Sequence, residues 1–231
     1  QRQHLYIDGI ASNSPAESIS IDMKDLDVAY ILDLVDFHSV DFDGLATGTV
    51  KASQVFGDFN ASADLTVDQF KFQSGRMGTL LARAEWNVDA QQIDIEAIAD
   101  NGPDSQTFIK GYVSPVRSDL MLDITADGTS IEFCKSFTSS FLSDVSGNAH
   151  GHVILAGPLG ELNLTGEIVA NGQTTVTALN TTYTLPQDTI TLKPNDIQFN
   201  HCVIKDREGQ TGYVAGHIRH DSFSDFTFDI D

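Results

Sequence analysis

At 231 residues the chain is long enough to bury a sizeable core, as one large all-β unit or as two smaller ones. It carries 33 Asp and Glu against 13 Lys and Arg, a formal net charge of −20. That charge repels a phosphate backbone and an anionic membrane surface, and it excludes nucleic acid as a partner.

A hydrophobic content of 41% is too high for a disordered chain. No apolar run reaches the length of a membrane-spanning helix. Cys134 and Cys202 are the two cysteines, and nothing in their spacing reads as a disulfide framework. They are read as free thiols, and they leave the redox compartment open.

In chain order, Tyr6-Ile7-Asp8-Gly9 and Ile19-x-Ile21-Asp22 open the sequence with strand-like alternation. Asp25 to Phe37 then carries apolar residues three and four apart, at Val28, Ile31, Leu32 and Val35, which predicts a short helix. Phe59, Ala61, Ala63, Leu65 and Val67 alternate with polar residues, so a strand here has one apolar face. Ile93, Ile95, Ala97 and Ala99 do the same. Gly128 to Leu142 predicts a second helix, with Ile131, Cys134, Phe137 and Phe141 on one side and Thr129 or Ser130 as N-cap. Leu162, Leu164, Ile168 and, at the end, Phe226, Phe228 and Ile230 return to period two. Asn101-Gly102-Pro103, Gly157-Pro158, Asn171-Gly172 and Glu208-Gly209 read as breaks between strands, at roughly eight short strands per unit.

The units repeat. Gly44-x-x-x-Gly48-x-Val50 returns as Gly147-x-x-x-Gly151-x-Val153, and Gly57 and Asn60 return as Gly160 and Asn163, all offset by the 103 residues from Gly44 to Gly147. Asp119-Leu-x-Leu-Asp-Ile124 returns as Asp225-Phe-x-Phe-Asp-Ile230. The opening segment matches Phe108-Ile109-Lys110-Gly111, as though the chain begins inside an earlier copy. The expected organisation is 1–24 as the tail of a preceding repeat, 25–124 as repeat one and 125–231 as repeat two. On this reading the chain is one continuous structure, cut from a longer protein.

Sites of chemistry are sparse. His150-Gly-His152 places two imidazoles on one face of a strand, but no third ligand stands at a telling spacing, and two strand histidines are the simpler reading. Asp41-x-Asp43-Gly44 lacks the remaining ligands of a calcium loop and reads as part of a solvated acidic face. No nucleophile elbow, zinc-protease helix or phosphate loop is present, so the chain is expected to be no enzyme and to need no cofactor. A strand with one apolar face must cover it, by folding on itself, by packing on a second sheet, or with a bound apolar ligand. The small residues Ala61, Ala63, Ala97 and Ala99 on that face leave room for the last.

The stretch Gly147-Asn-Ala-His-Gly151-His-Val, Gly157-Pro-Leu-Gly160, Asn180-Thr-Thr-Tyr183, Asp206-Arg-Glu-Gly209 and Gly216-His-Ile-Arg-His220-Asp-Ser-Phe resembles the large periplasmic domain of the TamB family, within the AsmA-like group. The resemblance implies a long, repetitive antiparallel sheet folded into an apolar groove, a β-taco; the two short helices predicted from the apolar spacing then lie at the repeat seams. It implies a translocation and assembly role in the Gram-negative periplasm, for a parent protein anchored in the inner membrane. It further implies lipid acyl chains as cargo, assistance to nascent outer-membrane protein strands in assembly and secretion, and an Omp85-type barrel as partner. The groove lining expected on this reading is Phe59, Ala61, Ala63, Leu65, Val67, Ile93, Ile95, Leu162, Leu164, Ile168, Phe226, Phe228 and Ile230. The alternative reading is a tandem β-sandwich, a binding or adhesion module on a bacterial surface, with two closed cores and a linker near residues 125–145.

Overall fold

Alternation at period two is the dominant signal of this chain, and the structure turns it into a single sheet. The structure is a computed structural model that describes residues 3–34, 41–221 and 223–231, with the side chains of 32–34 excepted. Its fourteen strands follow one another in chain order, each paired antiparallel with the next, and the sheet is not closed into a barrel. They are β1 (His4–Gly9), β2 (Ser18–Asp27), β3 (Phe42–Ser53), β4 (Asn60–Phe72), β5 (Gly75–Asn87), β6 (Gln92–Asp100) and β7 (Gln106–Ser114). They continue as β8 (Asp119–Ser130), β9 (Leu142–Pro158), β10 (Asn163–Val176), β11 (Thr181–Lys193), β12 (Asp196–Lys205), β13 (Thr211–Asp221) and β14 (Ser224–Ile230). Helix α1 (Val28–Leu34) lies between β2 and β3; a 3-10 turn (Glu132–Cys134) and the one-turn α2 (Lys135–Thr138) lie between β8 and β9.

Two sandwiches joined by a linker are not what forms. β8 pairs with β9 from Asp119↔Pro158 to Ser130↔Asn148, so hydrogen bonding runs through the point where a linker would lie. Strands are also longer and fewer than the breakers predict. Asn171-Gly172 lies inside β10, where the register shifts between Ala170 and Gly172. A glycine at a bulge interrupts the pattern without ending the strand. Gly157-Pro158, by contrast, does mark a break: β9 ends at Pro158 and β10 begins at Asn163.

The two expected helices are shorter than their periodicity. Asp25–Asp27 belong to β2 and Gly128–Ser130 to β8, so neither Thr129 nor Ser130 is the N-cap. Ile131 takes that place and caps nothing with its side chain, while Ser130 Oγ accepts the Glu132 N–H at 3.3 Å. The β-branched and aromatic residues of both stretches favour extended backbone, which explains the retreat. Val35, Asp36 and Phe37 lie outside the described residues.

Glycines let the repeated strands come close. Gly48 and Gly151, equivalent in the two copies, have φ of 152° and 149°. A Cβ at either would fall well inside contact distance of the carbonyl across the ladder, at Asp64 and at Glu167. Only glycine holds that conformation without strain.

Bulges then bend the sheet towards one end. Register breaks at Met23/Leu26 in β2, Val67/Phe70 in β4 and Asp127/Thr129 in β8, with Asp25, Gln69 and Gly128 in left-handed conformation. Such bulges add twist and bend the strand that carries them. The consequence shows in contacts between strands far apart in the order. Phe133, between β8 and β9, meets Phe72 at the end of β4, with ring centroids 5.4 Å apart. Phe141, at the mouth of β9, meets Phe226 and Phe228 of β14 at 5.3 and 4.7 Å. β9 and β14 are five places apart, so these contacts require the sheet to bend over its apolar side.

Candidate functional site

Paired residues of an antiparallel ladder share a face, so the registers define rows that cross the sheet. One row runs Leu26, Ala46, Val67, Leu80, Ala99, Thr107 and Ala126 across β2 to β8. The next row on the same face runs Met23, Gly48, Leu65, Ala82, Ala97, Ile109, Ile124, Val153 and Gly166, and goes on through Leu192, Ile197 and Ile218 to Phe228. The third runs Ile7, Ile21, Val50, Ala63, Ala84, Ile95, Gly111, Leu122, Leu155 and Leu164. This face carries no charged side chain in any of the three rows.

The rows differ in what covers them. The first is sealed: Ala46, Val67, Phe70, Met77 and Ala99 form a buried cluster, with Val28 and Ile31 of α1 and Phe42, Phe72 and Leu80 packed on it. Phe42 stacks on Phe70 at 5.9 Å. Among the described residues the third row has no such cap. Ile21, Ala63, Ile95, Leu122, Leu155 and Leu164 are only half-buried, and no buried cluster includes them.

The expected lining residues divide along this line. Ala61, Ala63, Leu65, Ile93, Ile95, Leu164 and Ile168 are half-buried on the apolar face, whereas Val67 is 5% exposed and sits within the sealed cluster. Phe59 and Leu162 precede the strands, since β4 begins at Asn60 and β10 at Asn163; Phe59 packs edge-on against Trp86 at 6.0 Å. Phe226 is half-buried against Phe141 and His220. Phe228 and Ile230 lie on the outermost strand and are exposed. Ile109, Leu122, Ile124, Val153 and Leu155 belong to the same face and were missed. Their signal was the same alternation, visible in Leu120-x-Leu122-x-Ile124.

The opposite face is polar and cross-linked. Thr49 Oγ1 donates to Asp22 at 2.6 Å, Arg83 Nε to Asp64 at 2.9 Å and Lys110 Nζ to Glu96 at 2.6 Å. The hydrogen bond and charge of Lys110 hold the Glu96 carboxyl below its ordinary range. His152 pairs with Asp123 at 2.8 Å and His150 with Asp127 at 3.1 Å. His150 and His152 thus each face a separate carboxylate, and among the described residues no three metal-ligating side chains converge. Asp43 pairs with Lys71 at 3.7 Å.

Both cysteines are free. Burial pushes the Cys134 thiol up to about 12 and the Cys202 thiol above its ordinary value, so neither is poised as a nucleophile.

Among the described residues no helix is long and apolar enough to cross a membrane. No family model, curated protein or solved structure matches the chain.

Proposed function

We propose that this chain is a non-enzymatic carrier of apolar chains, with lipid acyl chains lying along the uncapped rows of its apolar face. The observation that carries this reading is the row from Ile7 to Leu164, apolar on ten successive strands, exposed at Ile7 and half-buried from Ile21 onward, with no capping element among the described residues. An uncharged surface of this extent costs free energy in water, at roughly 25 cal/mol per Å², and an acyl chain that covers it relieves that cost. On this reading the bent surface serves as a trough of the β-taco kind, with α1 and the segment from Glu132 to Thr138 as plugs at one end; the aromatic contacts between distant strands support it. The acidic opposite face keeps such a sheet in solution.

The TamB-like order of motifs supports reading the chain as the periplasmic part of an envelope protein that moves lipid between the inner and outer membranes. Chaperoning of outer-membrane strands and contact with an Omp85-type barrel are further roles of the parent protein under the same reading. Native mass spectrometry of the purified chain tests it. The expected spectrum contains phospholipid adducts that disappear in Ile95→Asn/Leu122→Asn; a lipid-free spectrum from cells and after incubation with phospholipid contradicts it.

A further inference from the structure

The polar face carries an apolar site that the acyl-chain reading does not use. Leu81, Ile98 and Phe108 pair directly across β5, β6 and β7, so their side chains form one stripe. They are 52%, 38% and 40% exposed. A concavity of about 730 Å³ opens over them, running from Thr47 and Thr66 to Thr125, with Asp64, Arg83, Glu96, Lys110 and Asp123 along one wall. A twisted sheet is saddle-shaped, so each of its faces is concave along one diagonal. This hollow therefore coexists with the bend on the apolar side.

We infer that this hollow docks a basic amphipathic helix of a partner protein, laid across the strands. Spacing is the first argument. Neighbouring strands lie about 4.8 Å apart, so Leu81 to Phe108 spans about 10 Å. Apolar residues at i, i+3 or i+4, and i+7 of a helix cover the same distance, at 1.5 Å per residue.

Charge is the second argument. On one side of the stripe, Arg83 and Lys110 are already engaged by Asp64 and Glu96. On the other side the neighbouring row holds Asp68, Asp100 and Asp127 and no Lys or Arg. These three aspartates flank the hollow, whose own charged lining is Asp64, Glu96 and Asp123 against Arg83 and Lys110; on a chain of net charge −20 its surroundings are acidic, and the polar edge of the incoming helix is therefore rich in Lys or Arg.

Recurrence is the third argument. Tyr6-Ile7-Asp8-Gly9, Phe108-Ile109-Lys110-Gly111 and Tyr213-Val214-Ala215-Gly216 are equivalent segments, and each sets an exposed aromatic on the polar face. Tyr213 stacks on His201 at 4.3 Å, while Tyr6 and Phe108 present exposed rings of the kind that anchor docking surfaces.

The test uses a Leu/Lys amphipathic peptide of about 18 residues, five turns of helix, and a Leu/Glu peptide of the same pattern. Binding to the whole chain is followed by fluorescence anisotropy. The expected result is binding of the Leu/Lys peptide alone, weakened about tenfold by Phe108→Ser and by Leu81→Ser. Asp100→Asn weakens it less, and Ile95→Ser on the opposite face leaves it unchanged. The circular dichroism of each variant establishes that it folds, and Leu81, the more exposed, stands in should Phe108→Ser unfold. Equal binding of the Leu/Glu peptide, indifference to both stripe variants, or loss through Ile95→Ser alone overturns the proposal. So does a dimer that dissociates on Phe108→Ser, because a second copy is then the occupant. Loss of phospholipid adducts in Ile95→Asn/Leu122→Asn with peptide binding retained separates this site from the acyl-chain face.

Discussion

The same apolar face ends in two ways. At the end marked by Ala46, Val67 and Ala99 it is sealed by α1 and by a stack of phenylalanines. At the rows of Ala63, Ile95 and Leu122 it carries equally apolar residues, and none of the described residues packs over them in a buried cluster. The alternation is alike in both regions, so alternation alone does not make a core. A core needs something to pack against, and here a seven-residue helix and a few aromatic rings supply it at one end only.

This contrast breaks most readily through the backbone and the plug. Gly48→Ala forces a side chain against the Asp64 carbonyl and is expected to cost more than about 2 kcal/mol in urea unfolding. Phe70→Ala empties the sealed cluster and is expected to cost about 3–5 kcal/mol. Ile95→Ala, among uncapped neighbours, is expected to cost about 1 kcal/mol, since a half-exposed side chain loses less on truncation. Equal losses at Phe70 and Ile95 would mean that both regions are packed alike.

Thiol chemistry sharpens the comparison further. At pH 8 Cys134 and Cys202 are expected to resist a disulfide reagent in the folded state, because burial raises the Cys134 thiol to about 12 and pushes the Cys202 thiol above its ordinary value. A cysteine placed by Ala63→Cys is expected to react at the rate of an accessible thiol. Rapid labelling of Cys134 would show the plug to be open.

The smallest effect is at the β13–β14 turn. His220 is nearly buried against Phe223, with ring centroids 4.7 Å apart, and burial lowers its pKa while Asp196 and Asp221 oppose the shift. A lowered folded pKa means that the neutral ring is the one accommodated. Its stabilising contribution is present above the unfolded pKa of about 6.5 and is lost as pH falls below it. The protection factor of the Thr227 amide against exchange is expected to fall below that pH in the wild type and less so in His220→Asn.

Much of this was legible in the sequence, for reasons that stay local. Period two in Phe59–Val67 and Leu162–Ala170 identifies strands and the face each one buries, because side-chain direction follows from backbone geometry alone. The repeated glycines mark close approach of strands for the same reason. Less legible was where strands end: Asn171-Gly172 has the composition of a turn and the role of a bulge, and only the partner strand distinguishes them. The helical periodicity of Asp25–Phe37 and Gly128–Leu142 overran the helices because β2 and β8 claim their first residues through pairing with β3 and β9. The stripe of Leu81, Ile98 and Phe108 was invisible, since each residue stands alone in its own strand and only the register aligns them.

The most direct test of the account is photo-crosslinking, in phospholipid-producing cells, from single positions across the sheet. Probes at Ala63 and Leu122 are predicted to label acyl chains, whereas probes at Ala99 in the sealed end and at Asn60 or Asn163 on the polar side are not. Labelling that is uniform over both ends, or confined to the polar side, would contradict the claim that the uncapped rows carry lipid.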